Sequence, residues 1–290
     1  MIDKAYLEIT NICNLNCSFC HGTKRVKRML TDAEFDLITD RLAGKVKFLY
    51  FHLMGEPLLH PSFPQFVKRA WEKGFYPILT TNGSLLAKRE EELMEALPYK
   101  ISISLHAPAA NAAFADPAYF ESCIDFAKHA AGKGCIVVLR LWNIGGEGEE
   151  ENAAILAKLH EAFPGEWAPS HRDSIRLSRE KETKVFLEWG EHFEWPDMSC
   201  PEAPADADIF CHAVRHQFGV LCDGTVVPCC LDSEGKIALG NLLESPLDEI
   251  LDAPRARAIY DHFTNRRAIE PLCRRCGYAK KFQKSAPIKR

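Results

Sequence analysis

The segment Glu8–Gly22, with the sequence EITNICNLNCSFCHG, determines which fold we expect of the rest of the chain. It carries Cys13, Cys17 and Cys20 in a CxxxCxxC array, directly after an apolar run that we predict to be the first strand. This spacing allows one loop to present three thiolates to a single iron–sulfur cube. Because a closed site needs four ligands, the array predicts a 4Fe-4S cluster with one iron open to an exogenous ligand. A zinc loop completed by His21 or by a distant residue is the alternative.

Short β-branched or aromatic runs alternate with longer helical patterns from residue 1 to about residue 165, which predicts a βα repeat. Thr31 and Glu34 form a capping box at the start of the first helix, and Gly44 is a stop signal. Ligands bind at the carboxyl ends of parallel strands, so we expect the site there. The predicted strands are Ala5–Thr10, Val46–Leu53, Phe75–Thr80, Ile101–Leu105, Ile136–Trp142 and Lys184–Trp189, and the other predicted helices are Ser84–Leu97, Pro117–Gly132 and Glu149–Phe163.

The composition is that of an ordinary globular protein, with 290 residues, 47% of them hydrophobic and 26% charged. This length favours one large domain, alone or with a small appendage. The formal net charge of −4 gives no broad basic surface for a nucleic-acid backbone, so we expect no nucleic-acid partner. No apolar run approaches the roughly 18 residues that span a bilayer, and the N-terminus lacks the layout of a signal peptide. We therefore expect a cytoplasmic protein with no membrane partner.

Twelve cysteines are unusual for a cytoplasmic chain, in which disulfides rarely persist, so metal binding is the leading explanation. Cys123 and Cys135 lie in apolar surroundings and are interpreted as small buried hydrophobic residues. From Cys200 onward, glycines, prolines and cysteines dominate. This region is predicted to form a second, small module with a hairpin that turns at Asp223-Gly224 and one helix around Leu247–Phe263.

Two cysteine pairs in this C-terminal module can close a site completely. Cys211 and Cys229 fit the pattern CX12GX4C through Gly224, and Cys273 and Cys276 form a CxxC. Four thiolates suit a second 4Fe-4S cluster, and they also suit the tetrahedral zinc of a zinc ribbon.

The CxxxCxxC array after the first strand of a βα repeat resembles the signature of the radical S-adenosylmethionine (SAM) superfamily. The resemblance covers most of residues 5–280. Phe19 matches an aromatic residue that lies near the adenine in the family. The segment Met54-Gly55-Glu56-Pro57 is similar to the family's GGEP motif, with Met54 in place of the first glycine. By this resemblance, Gly55 and Glu56 would bind the methionine amino group of SAM.

Two further segments resemble those that bind the carboxylate and ribose of SAM in the molybdenum-cofactor cyclisation enzyme. They are Thr80-Thr81-Asn82-Gly83 and the ISISLHA stretch that contains Ser104. The resemblance implies that Thr80 and Ser104 are cofactor-binding residues. Arg140 lies inside an otherwise apolar predicted strand, where a charge needs a partner. It either binds the SAM carboxylate or pairs within the barrel.

The C-terminal cysteine pattern resembles the SPASM/twitch extension of radical SAM enzymes, with PCCLD and LGN as further matches. A full SPASM domain holds a second auxiliary cluster, but Phe282 stands where its next cysteine is expected. The pattern is therefore similar to the single-cluster twitch form of the butirosin-pathway inosamine dehydrogenase. This resemblance implies that the auxiliary cluster is held by Cys211, Cys229, Cys273 and Cys276, and that Cys200, Cys222 and Cys230 are not ligands, Cys230 being the substitute if Cys229 is misassigned.

Together these inferences predict an α/β protein. Residues 1–198 are expected to form a partial (β/α)6 TIM-like barrel, and residues 199–290 a twitch module of a β-hairpin plus a helix. The resemblance implies that an electron from a flavodoxin- or ferredoxin-like reductant cleaves SAM to methionine and a 5′-deoxyadenosyl radical, which abstracts a substrate hydrogen. A cluster with four thiolates has no iron open to substrate. We therefore expect it to take the electron left on the substrate, which favours a two-electron oxidation.

The substrate class is the least determined feature of the sequence. Peptide maturases often carry a leader-binding domain or a full SPASM module, and their absence favours a small molecule. A peptide maturase of the RiPP or sulfatase type remains an alternative. A non-catalytic iron–sulfur electron-transfer protein is an alternative of another class, which would not need Glu56, Thr80 and Ser104.

Two kinds of polar residue are left without an assigned role. His52 and His106 lie near predicted strand ends and are either proton acceptors or structural histidines. The basic run from Lys24 to Arg28 either meets an anionic substrate or the reductant, or it is a solvated loop.

Overall fold

Parallel strands form the framework of the computed structural model, which describes residues 2–282 except residues 112, 115, 171–173, 181 and 205. The first eight strands are β1 (Lys4–Leu7), β2 (Phe48–Phe51), β3 (Tyr76–Thr81), β4 (Lys100–Ser104), β5 (Ile136–Ile144), β6 (Ala168–Pro169), β7 (Ser174–Arg176) and β8 (Val185–Glu191). Strands β1 to β5 and then β8 pair in parallel with their neighbours, while β7 and β6 extend the sheet antiparallel beyond β8. The predicted partial (β/α)6 barrel is confirmed, including the strand predicted at Lys184–Trp189.

Helices cross over between these strands. They are α1 (Asp32–Leu42), α2 (Phe63–Glu72), α3 (Leu86–Glu95), α4 (Tyr119–Gly132) and α5 (Asn152–Ala162), with short 3₁₀ turns at Pro57–Leu59 and Glu149–Glu151. The predicted capping box at α1 is confirmed: the Thr31 hydroxyl accepts a hydrogen bond from the Glu34 amide at 3.2 Å, and the Glu34 carboxylate accepts one from the Thr31 amide at 2.8 Å. Helix α2 is an element that the sequence patterns above do not predict.

Aromatic side chains fill the layer between the first helices and the sheet. The rings of Phe35 on α1 and Phe66 on α2 stack with centroids 3.9 Å apart, and Phe51 of β2 packs edge-on against Phe63. All four side chains are fully buried. Burial of a phenylalanine contributes about 1.5–3 kcal/mol, so this layer holds the helices against the strands that carry the site.

The C-terminal module continues the same sheet through strands β9 (Gln217–Val220), β10 (Thr225–Val227) and β11 (Gly240–Asn241). The predicted hairpin is confirmed by the antiparallel pairing of β9 with β10, and its Gly224 has a φ of +86° that suits glycine. Strand β9 pairs in parallel with β1, from Lys4 opposite Gln217 to Leu7 opposite Val220. Over the described residues the strand order is β11-β10-β9-β1-β2-β3-β4-β5-β8-β7-β6.

The single helix predicted around Leu247–Phe263 is wrong in one respect, because the structure has two helices there. Helix α6 covers Leu247–Asp252, and α7 covers Pro254–Thr264. Ala253 between them is extended, with a ψ of 147°, because the ring of Pro254 excludes the helical conformation from the preceding residue.

The chain then passes through 3₁₀ turns at Cys273–Arg275 and Gly277–Phe282. The domain boundary at residue 198 stays a prediction, and residues 283–290 lie outside the described part. None of the helices described is long and apolar enough to cross a membrane.

Candidate active site

A cavity of about 520 Å³ opens at the carboxyl ends of the barrel strands. Three cysteines and eight other residues singled out from the sequence all line it, although they come from loops and strands far apart in the chain. The lining residues among the predictions are Cys13, Cys17, Cys20, Phe19, His52, Gly55, Glu56, Thr80, Ser104, His106 and Arg140. The fold thus brings together every predicted cofactor-binding residue at the place where an α/β barrel binds its ligands.

The cysteine loop is held in place by its own flanks. The Asn11 side chain receives a hydrogen bond from the Arg28 amide at 2.9 Å and donates one to the Val26 carbonyl at 2.8 Å, which closes the loop at its base. Cys13 and Cys20 are exposed and Cys17 is partly buried. Burial raises the pKa of the Cys17 thiol to about 12, and the neighbouring Cys20 and Cys13 add to this effect. The three sulfur atoms therefore lie close together with access to the cavity.

The segment after β2 packs directly on the backbone that leads into the cysteine loop. The Glu56 amide donates a hydrogen bond to the Ile12 carbonyl at 2.8 Å. Gly55 has a φ of +78°, and a Cβ at this position would lie 2.4 Å from the Thr10 carbonyl oxygen and 2.8 Å from that of Ile12. Only glycine allows this approach, which accounts for the second glycine of the motif. Met54, the departure from the family motif, is buried.

The Glu56 carboxylate joins the ends of β2 and β3. One oxygen accepts hydrogen bonds from the Leu58 amide at 3.0 Å and from the Thr81 hydroxyl at 2.8 Å, and the other accepts one from the Asn82 amide at 2.8 Å. Burial raises the pKa of this carboxyl to about 7, although these hydrogen bonds oppose the shift. The carboxylate is thus already engaged by the protein in addition to its predicted contact with the SAM amino group.

The end of β4 and helix α4 support the wall of the first cavity that follows the Glu56 segment. The Tyr119 hydroxyl donates to the Asn82 carbonyl at 2.8 Å and lies 3.2 Å from the Ser104 carbonyl oxygen. Gly83 has a φ of +83° and lies against this hydroxyl and the Cys123 sulfur, so a side chain there would displace both. Cys123 and Cys135 are buried, as predicted. The backbone of Ser104 is therefore held at the cavity by the contact with the Tyr119 hydroxyl, and that of Thr80 by the pairing of β3 with β4.

The two candidate histidines differ in their surroundings. Nδ1 of His106 lies 3.1 Å from the Arg140 carbonyl oxygen and 3.3 Å from the Trp142 amide nitrogen, and its ring packs 5.0 Å from that of Phe19. Nδ1 of His52 is buried and has no hydrogen-bond partner among the described residues. Burial lowers the pKa of His106 to about 4 and that of His52 to about 3, so both are neutral. His106 is tethered to β5, whereas His52 keeps a free nitrogen.

Arg140 faces the barrel interior. Its guanidinium lies over the Trp142 ring, 3.5 Å from the centroid, and its buried Nε has no hydrogen-bond partner among the described residues. Glu188 is its direct neighbour on β8, yet the two side chains form no ion pair within 4.0 Å in the part of the chain described. The pairing of Arg140 within the barrel, one of the two alternatives, is therefore not made as a salt bridge.

A second cavity of about 290 Å³ adjoins the first and contains the C-terminal cysteines. Burial raises the pKa of Cys229 well above its usual value, and the neighbouring Cys230, Cys211, Cys273 and Cys276 raise it further. The cavity is thus lined by the four predicted ligands and by Cys230, which also borders the first cavity. His52, Thr80, Arg140 and Trp142 line both cavities as well, so the two sites share a wall.

A buried ion pair connects the cysteine loop to the C-terminal module. The Arg25 guanidinium contacts both carboxylate oxygens of Glu8, at 2.6 and 2.8 Å, and Glu8 is fully buried. Glu8 also accepts hydrogen bonds from the Met54 amide at 3.2 Å and from the Cys222 amide at 3.0 Å. The Arg25 Nε donates to the Ser233 carbonyl at 2.8 Å. The Glu8 carboxylate therefore connects the end of β1 with the cysteine loop, the loop after β2 and the hairpin of the C-terminal module.

The basic run is partly used inside the protein. Besides Arg25, Arg28 pairs with Glu34 at 2.6 Å, and Lys27 donates to the Asn11 carbonyl at 3.1 Å. Lys24 and Lys27 are exposed, and for them the two alternatives, a docking patch or a solvated loop, stay predictions.

Several polar residues in the barrel interior carry no motif and are missing from the predicted site. They alternate along the strands with buried apolar residues and line the second cavity: Lys4, Tyr6, Tyr50, Lys100, Ser102 and Glu188. The signal available in the sequence was the alternation of polar and apolar residues along each strand, because successive residues of a strand face opposite sides of the sheet. Tyr278, from the last 3₁₀ turn, joins them without any sequence signal.

Comparison with known families agrees with this geometry. Residues 7–159, a little over half of the chain, match the radical SAM superfamily. The chain belongs to this superfamily. Residues 211–277 match SPASM, an iron-sulfur cluster-binding domain. The cofactor predictions, iron–sulfur clusters and SAM, are therefore confirmed for this radical SAM chain, while the residues that bind them stay predictions.

Curated relatives match only part of this radical SAM chain. A tungsten-containing aldehyde ferredoxin oxidoreductase cofactor-modifying protein of Pyrococcus furiosus is 35% identical over 97 residues, which is 32% of this chain and 26% of the relative. A GTP 3′,8-cyclase of Chlorobaculum tepidum is 33% identical over 112 residues, which is 36% of this chain and 33% of the relative. The matched segment thus spans about a third or less of the length of these relatives.

Among solved structures, BtrN in complex with AdoMet and 2-DOIA covers 95% of this chain and 93% of its own, with a TM-score of 0.60 and 19% identity. At this identity the likeness shows the shared fold.

The residues present fit the cofactors of the superfamily. The three predicted ligands of the SAM cluster line one cavity and the four predicted ligands of the auxiliary cluster line the other, and they are partly or fully accessible, whereas Cys123 and Cys135 are buried. Within the described ranges, no three His, Cys, Asp or Glu side chains are placed to hold a single metal ion. The thiolates of a cubane bind separate irons, so they stand farther apart than ligands of one ion.

Proposed function

We propose that this radical SAM enzyme oxidises a small molecule by two electrons. When bound, the SAM cluster and SAM supply a 5′-deoxyadenosyl radical that removes one substrate hydrogen atom. The observation that carries the proposal is the shared wall of the two cavities, which includes His52, Thr80, Arg140 and Trp142. A substrate at this wall lies next to both sites, so the electron left after hydrogen removal has a short path to the auxiliary cysteines.

The residues of the chain position the reactants and accept the proton. Cys13, Cys17 and Cys20 would hold the SAM cluster, and Cys211, Cys229, Cys273 and Cys276 the auxiliary cluster. The oxidation releases one hydrogen atom, then one proton and one electron. The free Nδ1 of His52 borders the shared wall, and because the pKa of this imidazole is about 3, it would pass the proton on to water rather than retain it.

Apolar side chains line part of the first cavity, where they would exclude water from the bound reactants. Phe19, Leu53, Met54 and Trp195 line it, and the Trp195 indole donates to the Phe19 carbonyl at 3.0 Å. Exclusion of water protects a reactive species from side reactions. In this proposal a flavodoxin- or ferredoxin-like reductant in the cytoplasm supplies the electron.

Iron counting and substitution test the proposal. Anaerobically reconstituted protein should hold about eight irons, as two cubanes. Changing Cys13, Cys17 and Cys20 together to Ala should remove about half of this iron and all SAM cleavage. Cys276→Ala should keep SAM cleavage but stop product formation. One tightly bound zinc per chain that survives reconstitution would contradict the auxiliary cluster, and failure to bind SAM in calorimetry would favour an electron-transfer protein.

A further inference from the structure

The floor of the barrel, below the SAM site, carries an excess of positive charge. Three cations line the second cavity, Lys4, Lys100 and Arg140, against the carboxylates of Glu188 and Asp232. Asp232 has other partners, because its carboxylate accepts hydrogen bonds from the Lys236 and Ile237 amides at 2.8 Å each. Glu188 is thus the one carboxylate that faces these cations within the described residues.

Two of these cations, Arg140 and Lys100, lack an ion-pair partner among the described residues. Neither Arg140 nor Lys100 forms an ion pair within 4.0 Å or a side-chain hydrogen bond in the part of the chain described, and the Arg140 Nε is buried. Both residues are partly buried, and a cation in such a position is stabilised when a ligand supplies an anion. The stacking of Arg140 on Trp142 fixes the guanidinium plane and leaves its edge open to the cavity.

Arg140 lines both cavities, at the wall between them. Glu188, Tyr6 and Tyr278 of the second cavity lie close enough to affect its charge, and its own charge acts on His52 and on His106 of the first cavity. The guanidinium is therefore within reach of a substrate held at this wall, and the experiment below separates this role from a role towards the SAM carboxylate.

We propose that Arg140 and Lys100 bind an anionic group of the substrate, a carboxylate or a phosphate. The tyrosines Tyr6, Tyr50 and Tyr278 surround this group and offer hydroxyls to the polar part of the same molecule. The bidentate edge of a guanidinium suits planar carboxylates and phosphates alike. This inference rests on the proposed function, since it places the substrate between the two clusters.

The test measures anion binding to the reconstituted holoprotein by equilibrium dialysis, with labelled inorganic phosphate and labelled malonate as probes and myo-inositol as the neutral control. We expect one of the two anions to bind at about one per chain and inositol not to bind. Arg140→Gln and Lys100→Met should each weaken that binding by about tenfold or more, as loss of a charged hydrogen bond implies. Glu188→Gln should tighten it, because the competing carboxylate is removed.

Matched variants separate this site from general effects. Lys88→Met, at an exposed position of α3, should leave anion binding unchanged, and Arg140→Lys should recover part of it. SAM affinity should be the same in Lys100→Met as in the native protein. Which anion binds more tightly identifies the substrate group as carboxylate or phosphate.

Three results would overturn the inference. The first is that neither anion binds, and the second is that Lys100→Met binds the anion as tightly as the native protein does. The third is that Arg140→Gln loses SAM binding while its anion binding is unchanged. The last result assigns Arg140 to the SAM carboxylate. A separate assay tests the proposed function by measuring the formation of 5′-deoxyadenosine in the absence of substrate. Anion binding without SAM cleavage refutes the proposed function alone, and cleavage without anion binding refutes this inference alone.

Discussion

Glu56 is the residue at which charge and SAM binding are most directly linked. Burial raises its pKa to about 7, so in the free protein it loses its proton only near neutrality. A cationic amino group beside it favours the ionised form. SAM affinity should therefore rise as the pH increases from about 6 to about 7, because below pH 7 binding must displace a proton.

Glu56→Gln is the variant that tests this link, and calorimetry of SAM binding is the measurement. The variant keeps one acceptor oxygen for Thr81 or Asn82 but carries no charge, so affinity should fall about ten- to a hundredfold and lose its pH dependence, while iron content stays the same. Glu91→Gln, at an exposed position of α3, is the control. A native pH profile in Glu56→Gln would refute the predicted contact.

At the residue scale, the sequence allowed the residues after each strand to be predicted but not those inside the barrel. Glu56 follows β2, and Thr80 is the last residue but one of β3; both belong to recognisable motifs, so their position needed no knowledge of the sheet. Tyr50 and Lys100 lie within strands, and the face that each presents depends on how the barrel closes. From the sequence alone, their side chains are indistinguishable from other parts of buried strands.

Among the elements, the loop after β2 depends on a single glycine for its contact with the cysteine loop. Gly55→Ala should cost about 1–2 kcal/mol from its positive φ alone, and more because its Cβ meets two carbonyl oxygens. Gly74→Ala is the matched control, since Gly74 has a φ of +84° but no atom within 4 Å of the position that a Cβ would take. The thermal unfolding temperature should therefore fall further for Gly55→Ala.

Cluster content gives a second comparison of the two glycine variants. Displacement of residues 10–12 moves Cys13, so Gly55→Ala should also lose iron and SAM binding, whereas Gly74→Ala should retain both. Equal losses of iron and SAM binding in the two variants would show that the contact with the Thr10 carbonyl does not position the cysteine loop.

The elements themselves were predicted well where their patterns were complete in the local sequence. The capping box of Thr31 and Glu34 and the Asp223-Gly224 turn are signals that lie within a few residues. The break between α6 and α7 was missed although Pro254 marks it, because the apolar period continues across the proline. Helix α2 was also missed. It follows a proline-containing segment and has Pro64 as its second residue, and the apolar face of the helix was not recognised.

For the whole molecule, the pair of Glu8 and Arg25 holds the barrel and the C-terminal module together. Arg25→Met should destabilise the protein by about 3–5 kcal/mol, because it leaves a fully buried carboxylate without its cation. The double variant with Glu8→Gln should recover part of this loss, since neither charge is then buried alone. Chemical denaturation of the native protein, the two single variants and the double variant completes the double-mutant cycle that measures this recovery.

Arg28→Met is the control for this pair. Its partner Glu34 is partly exposed, so loss of the ion pair should cost about 0–1 kcal/mol. An equal loss of stability in Arg25→Met and Arg28→Met would contradict the role assigned to the buried pair.

The relation between the two modules could not be predicted, because it depends on residues far apart in sequence. Nothing local to β1 indicates that Gln217–Val220 lies beside it, and nothing local to Arg25 indicates Ser233. The sequence therefore predicted two sites, and the structure shows that they share a wall.

The parallel pairing of β1 with β9 has a consequence for the newly made chain. Leu7 ends β1, and the strand that covers its outer edge begins about 210 residues later, at Gln217. At the usual speed of translation the ribosome needs roughly 10 to 40 s to make that interval. During this time β1 has an open edge, where other chains can add. Chaperones that shield nascent strands should therefore raise the yield of this protein, and the auxiliary site, whose predicted ligands include Cys276, cannot be completed before that residue is made.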